Sequence, residues 1–447
     1  MFFDEDYLIG INAAWKLNNT FIIFMMQLGF ALMECGAVRG KHINSVLLKN
    51  LADVLVGGLV FWCYGYAIAY GESAGGIVGF TREYSGLAWK QTQSEEKQVV
   101  FFIHWINQWT IACTCTTIVS GSVAERMKIS AYIIYSFVIQ TFIYPVAVHW
   151  VWNEYGWLHK MGFKDFSGVC VVHMIGGLCG GIATTIIKPR HHRFMKVIQK
   201  RGNFSHFSRG SYNFQPNNVP FIVIGTLFIW FAWFGFNCGT IVNITKQENI
   251  KTIGLVALNT ILSASTGALT CVLWTSYQDS KRPKDDKFSE QVYNTRVSMG
   301  ILSGLVSITG TCNNIEPLLS LIVGAIGATN YLCLSKKLVD LEIDDPLDAC
   351  PVHFGCGLWG TIATGIFNND GIVGGDFKLF SIQLLGIICI VCYTSFIALI
   401  CLLPLSYLKA IRITQEEDSN KHIVIYNQFE RMRKKPVNQL ADIKEGH

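Results

Sequence analysis

Two stretches of the chain decide its fold because they resemble each other: DFSGVCVVHMIGGLCGGIATTI at 165–186 and DPLDACPVHFGCGLWGTIATGI at 345–366. Aligned without a gap, they share eleven identities over 22 positions, and His173 pairs with His353. Small residues alone would be explained by helix packing in a membrane, but matched polar residues at the same spacing indicate an internal repeat.

The composition is that of a membrane protein. Only 15% of the 447 residues are charged and 51% are hydrophobic, whereas soluble proteins have about 25% charged residues. With so few charges, most of the surface must face an apolar medium. The formal net charge is only +5, so we predict no binding of nucleic acid. Most cysteines lie in apolar runs, so we expect no disulfide framework.

Eleven apolar runs have about the 20 residues that a helix needs to cross a hydrocarbon core of roughly 30 Å. The two related stretches are the fifth and tenth of these runs, so they cross the membrane in opposite directions. We therefore predict an all-α polytopic membrane protein with a five-plus-five inverted repeat and an appended last helix. The runs lie near 21–38, 46–70, 99–122, 129–151, 166–187, 219–242, 252–276, 297–312, 317–335, 349–367 and 378–408.

These runs divide the chain into a membrane domain and two tails. The membrane domain covers 21–412, and its repeat halves lie near 21–187 and 219–367. We assign residues 1–20 to an external amino-terminal tail and residues 413–447 to a cytoplasmic carboxyl-terminal tail.

The distribution of Lys and Arg predicts the orientation. Basic residues occupy the short connections at Arg39, at Arg126 and at 188–218, which holds seven Lys or Arg and no Asp or Glu. Such loops lie in the cytosol, so we expect the amino terminus outside and the carboxyl terminus inside. Asn18 and Asn243 begin possible N-glycosylation sequons on the side that this orientation makes external.

His173 and His353 are the candidate functional pair. An ionisable residue inside an apolar span is costly and faces the interior of the bundle or a cavity. The repeat would bring the two imidazoles face to face. From the residues alone they form either a polar line in a pore or two axial ligands of a haem in a membrane redox protein.

Other candidates admit a structural and a functional interpretation. Asp165 and Asp345 precede the histidines by two turns, where a carboxylate caps a helix. Asp165, on the outer side, is also a candidate for recruiting a cation. Trp152 ends the fourth run, where a tryptophan is either an interface anchor or a π face for a cation.

Six motifs resemble the ammonium transporter (Amt/Rh) superfamily, on its Amt side. The likeness extends from about residue 20 to 412. The motifs are RGKHINSVLLKNLAD at 39–53, SGSVAERMKISAYIIYSF at 120–137, YPVAVHWVWNEYGWL at 144–158, DFSGVCVVHMIGG at 165–177, WFGFNCGT at 233–240 and DDPLDACPVHFGCGLWGTIATGIF at 344–367.

The resemblance implies a homotrimer in which every subunit has its own narrow pore. At the external recruitment site for the ammonium ion, the family's tryptophan is matched by Trp152, its hydroxyl by Thr240, and an aspartate that shapes the vestibule by Asp165. A phenylalanine constriction follows, of which Phe236 is one half.

Below the constriction, the resemblance implies a pore lined by the twin histidines, matched by His173 and His353, and by a tryptophan matched by Trp233. The chain departs from the family at two of these places. The other phenylalanine of the constriction falls on Ile111, and Thr240 stands where serine is usual. The carboxyl-terminal tail begins like the family's regulatory region and soon diverges.

We therefore predict a transporter of the plasma membrane that moves ammonium or ammonia across the lipid bilayer, with methylammonium as a further candidate substrate. We expect neither an enzyme nor a cofactor-binding protein. Ammonium would lose its proton at the aromatic constriction, and ammonia would pass the histidines with or without that proton. The alternatives are an ammonium sensor, an Rh-like gas channel and the haem-binding redox protein.

Overall fold

Eleven long helical segments form the described part of the chain in a computed structural model, which describes residues 5–79, 84–86, 95–194, 196–201, 204–209 and 214–418. Four of the segments contain a π-helical turn. The segments are α1 (Glu5–Ala37), α2 (Ile43–Val60, Phe61–Gly65 and Tyr66–Tyr70), α3 (Glu95–Ser122), α4 (Ile129–Val138, Ile139–Ile143 and Tyr144–Trp152), α5 (Val169–Met174 and Ile175–Ile187), α6 (Val219–Cys238), α7 (Gln247–Ser280), α8 (Glu290–Ile308), α9 (Pro317–Asp340), α10 (Cys350–Gly355 and Cys356–Phe367) and α11 (Phe377–Tyr407).

The remaining described elements are short. One further helical turn, Trp157–Met161, follows α4, and three 3-10 turns lie in connections at Gly40–His42, Lys284–Asp286 and Ile372–Gly374. Two antiparallel hairpins complete the described structure: β1 (Ser73–Ala74) with β2 (Val78–Gly79), and β3 (Lys196–Arg201) with β4 (Phe204–Arg209).

The predicted all-α architecture of about eleven spans is confirmed, with one difference at the amino terminus. Helix α1 begins at Glu5, so residues 5–20, which the sequence assigned to a tail, are helical. These residues are ordered because they pack against the end of α6. The Trp15 indole donates to the Ile241 carbonyl, and the Lys16 ammonium donates to the Gly239 carbonyl. Most of the predicted carboxyl-terminal tail, 419–447, lies outside the described residues.

The two related segments, α5 and α10, run in opposite directions. One side chain joins the residue after α5 to the connection that precedes α10, because the Arg126 guanidinium donates to the carbonyls of Lys188 and Asp344. At the other side of the bundle, Lys164 before α5 forms an ion pair with Asp370 after α10. The start of each segment therefore lies beside the end of its repeat partner, as an inverted repeat requires.

The outside of the bundle is apolar. Along α2, Leu48, Leu51, Leu55 and Leu59 are all exposed at helical spacing, and eight of the described helices are long and apolar enough to cross a membrane. A helix can leave such a stripe unburied where its surroundings are hydrocarbon, because no hydrophobic cost then arises.

A buried ionic network ties the connections on one side of the bundle, which we call the basic face. Arg190, after α5, donates to Glu125 at 2.9 Å and to Asp344 at 2.8 Å. Arg39, after α1, lies 2.6 Å from the other oxygen of Glu125. Burial alone would raise the pKa of the Asp344 carboxyl, but the hydrogen bonds and charge of Arg190 hold it well below its usual range. Connections from both repeat halves thus share one set of charges.

Removing Arg190 is therefore expected to destabilise the fold. The variant Arg190→Met keeps the apolar stem but leaves two buried carboxylates short of a partner, which costs about 3–5 kcal/mol. We expect a clearly lower thermal unfolding midpoint of the purified protein in detergent. The control Arg282→Met breaks the exposed pair with Asp286, which contributes about 0–1 kcal/mol.

The contribution of the network to the stability of the fold should depend on pH. A carboxylate with a depressed pKa stabilises the fold above its unfolded pKa of about 4, and this contribution is lost as the pH falls through the lower folded value. The difference between wild type and Arg190→Met should therefore shrink in strong acid. Equal midpoints of the two proteins at neutral pH would contradict the role of the network.

Candidate functional site

Each candidate histidine lies in a π-helical turn at the start of its span. His173 belongs to Val169–Met174 and His353 to Cys350–Gly355. A π-helical turn carries an extra residue per turn and is frequent at functional sites in helices. Because both turns occupy the same place in the repeat, the two imidazoles leave α5 and α10 at equivalent positions.

Two glycines allow α5 and α10 to cross closely enough for the imidazoles to meet. A Cβ atom on Gly177 would lie 2.1 Å from the Phe354 nitrogen, and one on Gly357 would lie 2.8 Å from the Met174 nitrogen. Backbone stands against backbone at both points, so neither neighbour can yield as a flexible side chain would. The two contacts are related by the repeat, since Gly177 pairs with Gly357 and Met174 with Phe354.

The imidazoles of His173 and His353 lie against each other. Their Nδ1 atoms are 3.3 Å apart, and their ring planes are inclined by 20° with centroids 5.3 Å apart. One Nδ1 therefore carries the proton and donates to the other. This direct contact leaves no space for a porphyrin between the two nitrogens, so the geometry does not fit the alternative of paired axial haem ligands.

Both histidines are buried, with 0% and 2% of the surface of His173 and His353 exposed. In the part of the chain that the structure describes, Nε2 of His173 has no hydrogen-bond partner. An unsatisfied buried nitrogen costs about 1–3 kcal/mol. Such a cost is expected where a small polar molecule is to be bound.

Aromatic rings pack around the imidazole pair. The Trp233 indole stacks on the His173 ring with centroids 4.8 Å apart and an angle of 11°, and the Phe236 ring lies 5.6 Å from it. Trp233 is fixed because its indole N–H donates to the Thr309 hydroxyl at 2.9 Å. On the other side, Phe30 lies 5.9 Å from the His353 ring. The imidazole pair is thus enclosed by apolar walls.

Trp152 and Asp165 lie together at the opposite face of the bundle from the basic face. The Trp152 indole N–H donates to the backbone carbonyl of Asp165 at 2.7 Å. Both residues line a cavity of about 280 Å³, together with Phe166, Asn313 and Asn314. Lys164 and Asn368 also line it, so the cavity presents an indole, three amide groups and an ammonium group that is paired with Asp370.

The Asp165 carboxylate is engaged as a helix cap. Its two oxygens accept four backbone N–H groups at 2.7–3.0 Å, from Gly168, Val169, Cys170 and Val171. A carboxylate offers about four acceptor sites, so direct recruitment of a cation by Asp165 does not fit this geometry. The carboxylate instead holds the turn that begins α5, where Gly168 adopts a left-handed φ of 104°.

Thr240, directly after α6, connects to the same turn. Its hydroxyl lies 2.9 Å from the Ser167 hydroxyl and donates to the Phe236 carbonyl at 3.1 Å. Residues 165–167 thus link Trp152 to Thr240. Thr240 is not among the residues that line the cavity of Trp152. Ser167 and Lys16, whose ammonium binds the neighbouring Gly239 carbonyl, were not predicted. Ser167 lies in the motif at 165–177 but was assigned no role there, and Lys16 lies in none of the six motifs.

The remaining predicted residues lie at separate places. Ile111 is buried in α3 with 7% of its surface exposed, and Phe236 is buried in α6 with 2% exposed. Ile111 supplies no ring to stack on Phe236. Asn18 is exposed but lies within α1, where its amide donates to the Ala14 carbonyl, and Asn243 lies after α6 and accepts from Thr245. Glycosylation of either residue stays a prediction.

Known proteins share this sequence over almost its whole length. The model of the Ammonium Transporter Family matches residues 14–430. Ammonium transporter 1 member 3 of Solanum lycopersicum is 32% identical, with 92% of this chain and 90% of that protein covered. Ammonium transporter Amt2 of Archaeoglobus fulgidus is also 32% identical, with 85% and 79% covered.

Solved structures share the fold. The structure described as "Sensor Amt Protein" superposes with a TM-score of 0.80 at 28% identity, covering 93% of this chain and 98% of that one. Candida albicans Mep2 gives a TM-score of 0.76 at 24% identity, covering 91% and 86%, which shows likeness of fold alone. The family match, together with helices apolar enough to cross a membrane, leads to one conclusion: this chain belongs to the ammonium transporter family and is a multi-pass membrane protein.

Proposed function

We propose that this ammonium transporter strips ammonium of its proton above the imidazole pair and conducts ammonia past His173 and His353. The observation that carries this mechanism is the unpartnered Nε2 of His173 beside the contact of the two Nδ1 atoms. Because one Nδ1 donates to the other, Nε2 of one ring carries a proton and is a donor, and Nε2 of the other ring is an acceptor. Ammonia both donates and accepts hydrogen bonds, so it can bind to these imidazole nitrogens in place of water.

Deprotonation gives the pore its selectivity against potassium. Potassium has the charge of ammonium and a similar size, so a pore cannot sort the two ions by diameter. Burial of an amine in a dry site lowers its pKa by roughly 3–5 units, equivalent to about 4–7 kcal/mol. Ammonium avoids the remaining desolvation cost by releasing its proton, whereas potassium has no proton to lose.

The outer cavity is the proposed entrance. Trp152 offers an indole face, which attracts a cation by about 0.5–2 kcal/mol. Thr240 offers a hydroxyl oxygen on the adjoining turn, and Asp165 positions both through the turn that it caps. Phe236 then closes the passage toward His173, together with the position of Ile111. Because Ile111 has no ring, only Phe236 contributes an aromatic ring to this gate.

The family membership supports the rest of the proposal. We infer a homotrimer in the plasma membrane, embedded in the lipid bilayer, with the amino terminus outside and the basic face in the cytosol. Methylammonium is the expected second substrate, and no catalytic reaction or cofactor is part of the proposal. Growth on low ammonium of a yeast that lacks its own ammonium transporters tests the function, and no growth with the chain at the cell surface would contradict it.

A second candidate function is sensing. It is favoured by the likeness to the protein described as "Sensor Amt Protein", whose chain is covered over 98% of its length. A sensor would bind ammonium at the outer cavity and change the basic face without conducting. Binding of ammonium to the purified chain, combined with no uptake in proteoliposomes, would favour the sensor over the transporter.

Replacing His173 by leucine should lower conduction strongly. Leucine keeps most of the volume but removes both the Nδ1 contact and the free Nε2, and the lost hydrogen bonds of about 1–3 kcal/mol correspond to a roughly 5- to 150-fold fall in rate. The measurement is uptake of labelled methylammonium, normalised to the amount of protein at the surface. His149→Leu is the control, because His149 is buried but bonded to Ala69 and Ser73. Undiminished uptake by His173→Leu would contradict the proposed role.

Replacing Ile111 by phenylalanine should narrow the gate. In the proposed gate the added ring would face Phe236, so we expect uptake of methylammonium to fall several-fold more than uptake of ammonium, because methylammonium is larger. Overpacking costs about 1–3 kcal/mol wherever it occurs, so Ile390→Phe, at a fully buried position of α11, is the control. An equal fall for both substrates in Ile111→Phe would remove Ile111 from the gate.

A further inference from the structure

Three charged side chains are buried together between α1 and α2, outside the site described above. Glu34 lies near the end of α1 that adjoins the basic face, and Lys49 and Asp53 lie one turn apart on α2. Of their surfaces, 1%, 1% and 0% are exposed. Lys49 interacts electrostatically with both carboxyl groups. The cluster therefore contains two acids and one base.

Both carboxyl groups are held in place by polar neighbours. Glu34 accepts hydrogen bonds from the Ser120 hydroxyl and from the Asn50 amide, the latter at 3.0 Å. Asn50 is itself oriented by the Thr117 hydroxyl, which donates to its side-chain oxygen at 2.9 Å.

At the other carboxyl group, Asp53 accepts from the Tyr132 hydroxyl at 2.6 Å and the Ser136 hydroxyl at 3.1 Å. The Lys49 ammonium lies over the same Tyr132 ring, 5.8 Å from its centroid. Asp53, like Glu34, is thus held by two donors and lies within reach of the lysine charge.

The charge balance of the cluster requires a proton. With both carboxyl groups ionised, the cluster would carry one uncompensated negative charge inside the bundle, and such a charge is expensive unless it is paired. The cluster is neutral when one carboxyl group is protonated. Glu34, unlike Asp53, lines the small cavity that it shares with His353. Glu34 is therefore the acid through which the cluster can exchange its proton with the pore.

This acid shares a small cavity with one of the two imidazoles. Glu34 and His353 both line a cavity of about 10 Å³, whose other walls are mainly apolar, among them Phe30, Leu302 and Val352. A volume of that size is about the smallest that holds a water molecule. One water or ammonia molecule can thus contact the carboxyl group and the imidazole in turn.

We propose that the Glu34–Lys49–Asp53 cluster is the proton carrier on the inner side of the pore, an inference that rests on the proposed ammonia conduction. Ammonia that has passed His353 takes the proton from the Glu34 carboxyl group, so an O–H bond breaks and the fourth N–H bond of ammonium forms. The carboxylate left behind is reprotonated through the imidazoles by the proton that the next ammonium ion releases above them. One ammonium ion, with its charge, crosses in each cycle.

Two isosteric variants remove the exchangeable proton in different ways. Glu34→Gln leaves Lys49 and Asp53 as the charged groups of the cluster, and Asp53→Asn leaves Lys49 and Glu34. Both clusters are neutral without a titratable proton. Glu290→Gln, at the exposed start of α8, controls for the loss of one negative charge.

The experiment measures current under voltage clamp and uptake of isotope-labelled ammonium in the same oocytes. Wild type and Glu290→Gln should carry about one charge per ammonium taken up. Glu34→Gln and Asp53→Asn should carry at least tenfold less charge per ammonium while uptake continues, because ammonia still passes. The ratio is independent of the amount of protein at the surface.

Several results would overturn the proposal. An unchanged ratio in Glu34→Gln or in Asp53→Asn would remove the cluster from the proton path, and so would equal loss of current and uptake, which a merely structural role predicts. Uptake without current in wild type would also overturn it, while leaving ammonium transport intact. Absence of both uptake and current in wild type would instead contradict the proposed transport function itself.

Discussion

The contact between the His173 and His353 rings depends on the close crossing of α5 and α10, and the remaining structure serves that crossing. Gly177 and Gly357 admit the facing backbones, because a Cβ at either position would strike a main-chain atom. At the basic face, Arg126 joins the end of α5 to the connection that precedes α10. At the opposite face, the Asp165 cap starts α5. Two polar rings can therefore meet in an interior that is otherwise apolar.

The location of the imidazole pair could be predicted from the sequence because a gapless repeat fixes the register of both helices. A shift by one residue would have rotated His353 by about 100° around α10 and turned it from the crossing. The opposite directions of the halves followed from the number of apolar runs between them. The same count could not predict where α1 begins, since residues 5–20 are ordered by contacts with Gly239 and Ile241, which are far away in the sequence.

Other features were beyond sequence reasoning because tertiary packing decides them. For Asp165 the sequence left open a helix cap and a cation site, and only the packing shows that both of its oxygens accept backbone N–H groups. The π-helical turns at the histidines leave no sequence pattern. Glu34 stands in an apolar run, FALMECGAV, and is fifteen residues from Lys49, so only the packing of α1 on α2 reveals that these charges are neighbours.

The central claim is that a dry lumen with facing imidazoles passes a molecule that can shed its proton and rejects an alkali cation. Potassium competition in proteoliposomes of the purified chain tests it most directly, with ammonium uptake measured at rising potassium concentration and constant ionic strength. The account predicts the same ammonium uptake rate at a hundredfold excess of potassium and no uptake of labelled rubidium. Rubidium flux through the chain, blocked by ammonium, would contradict it.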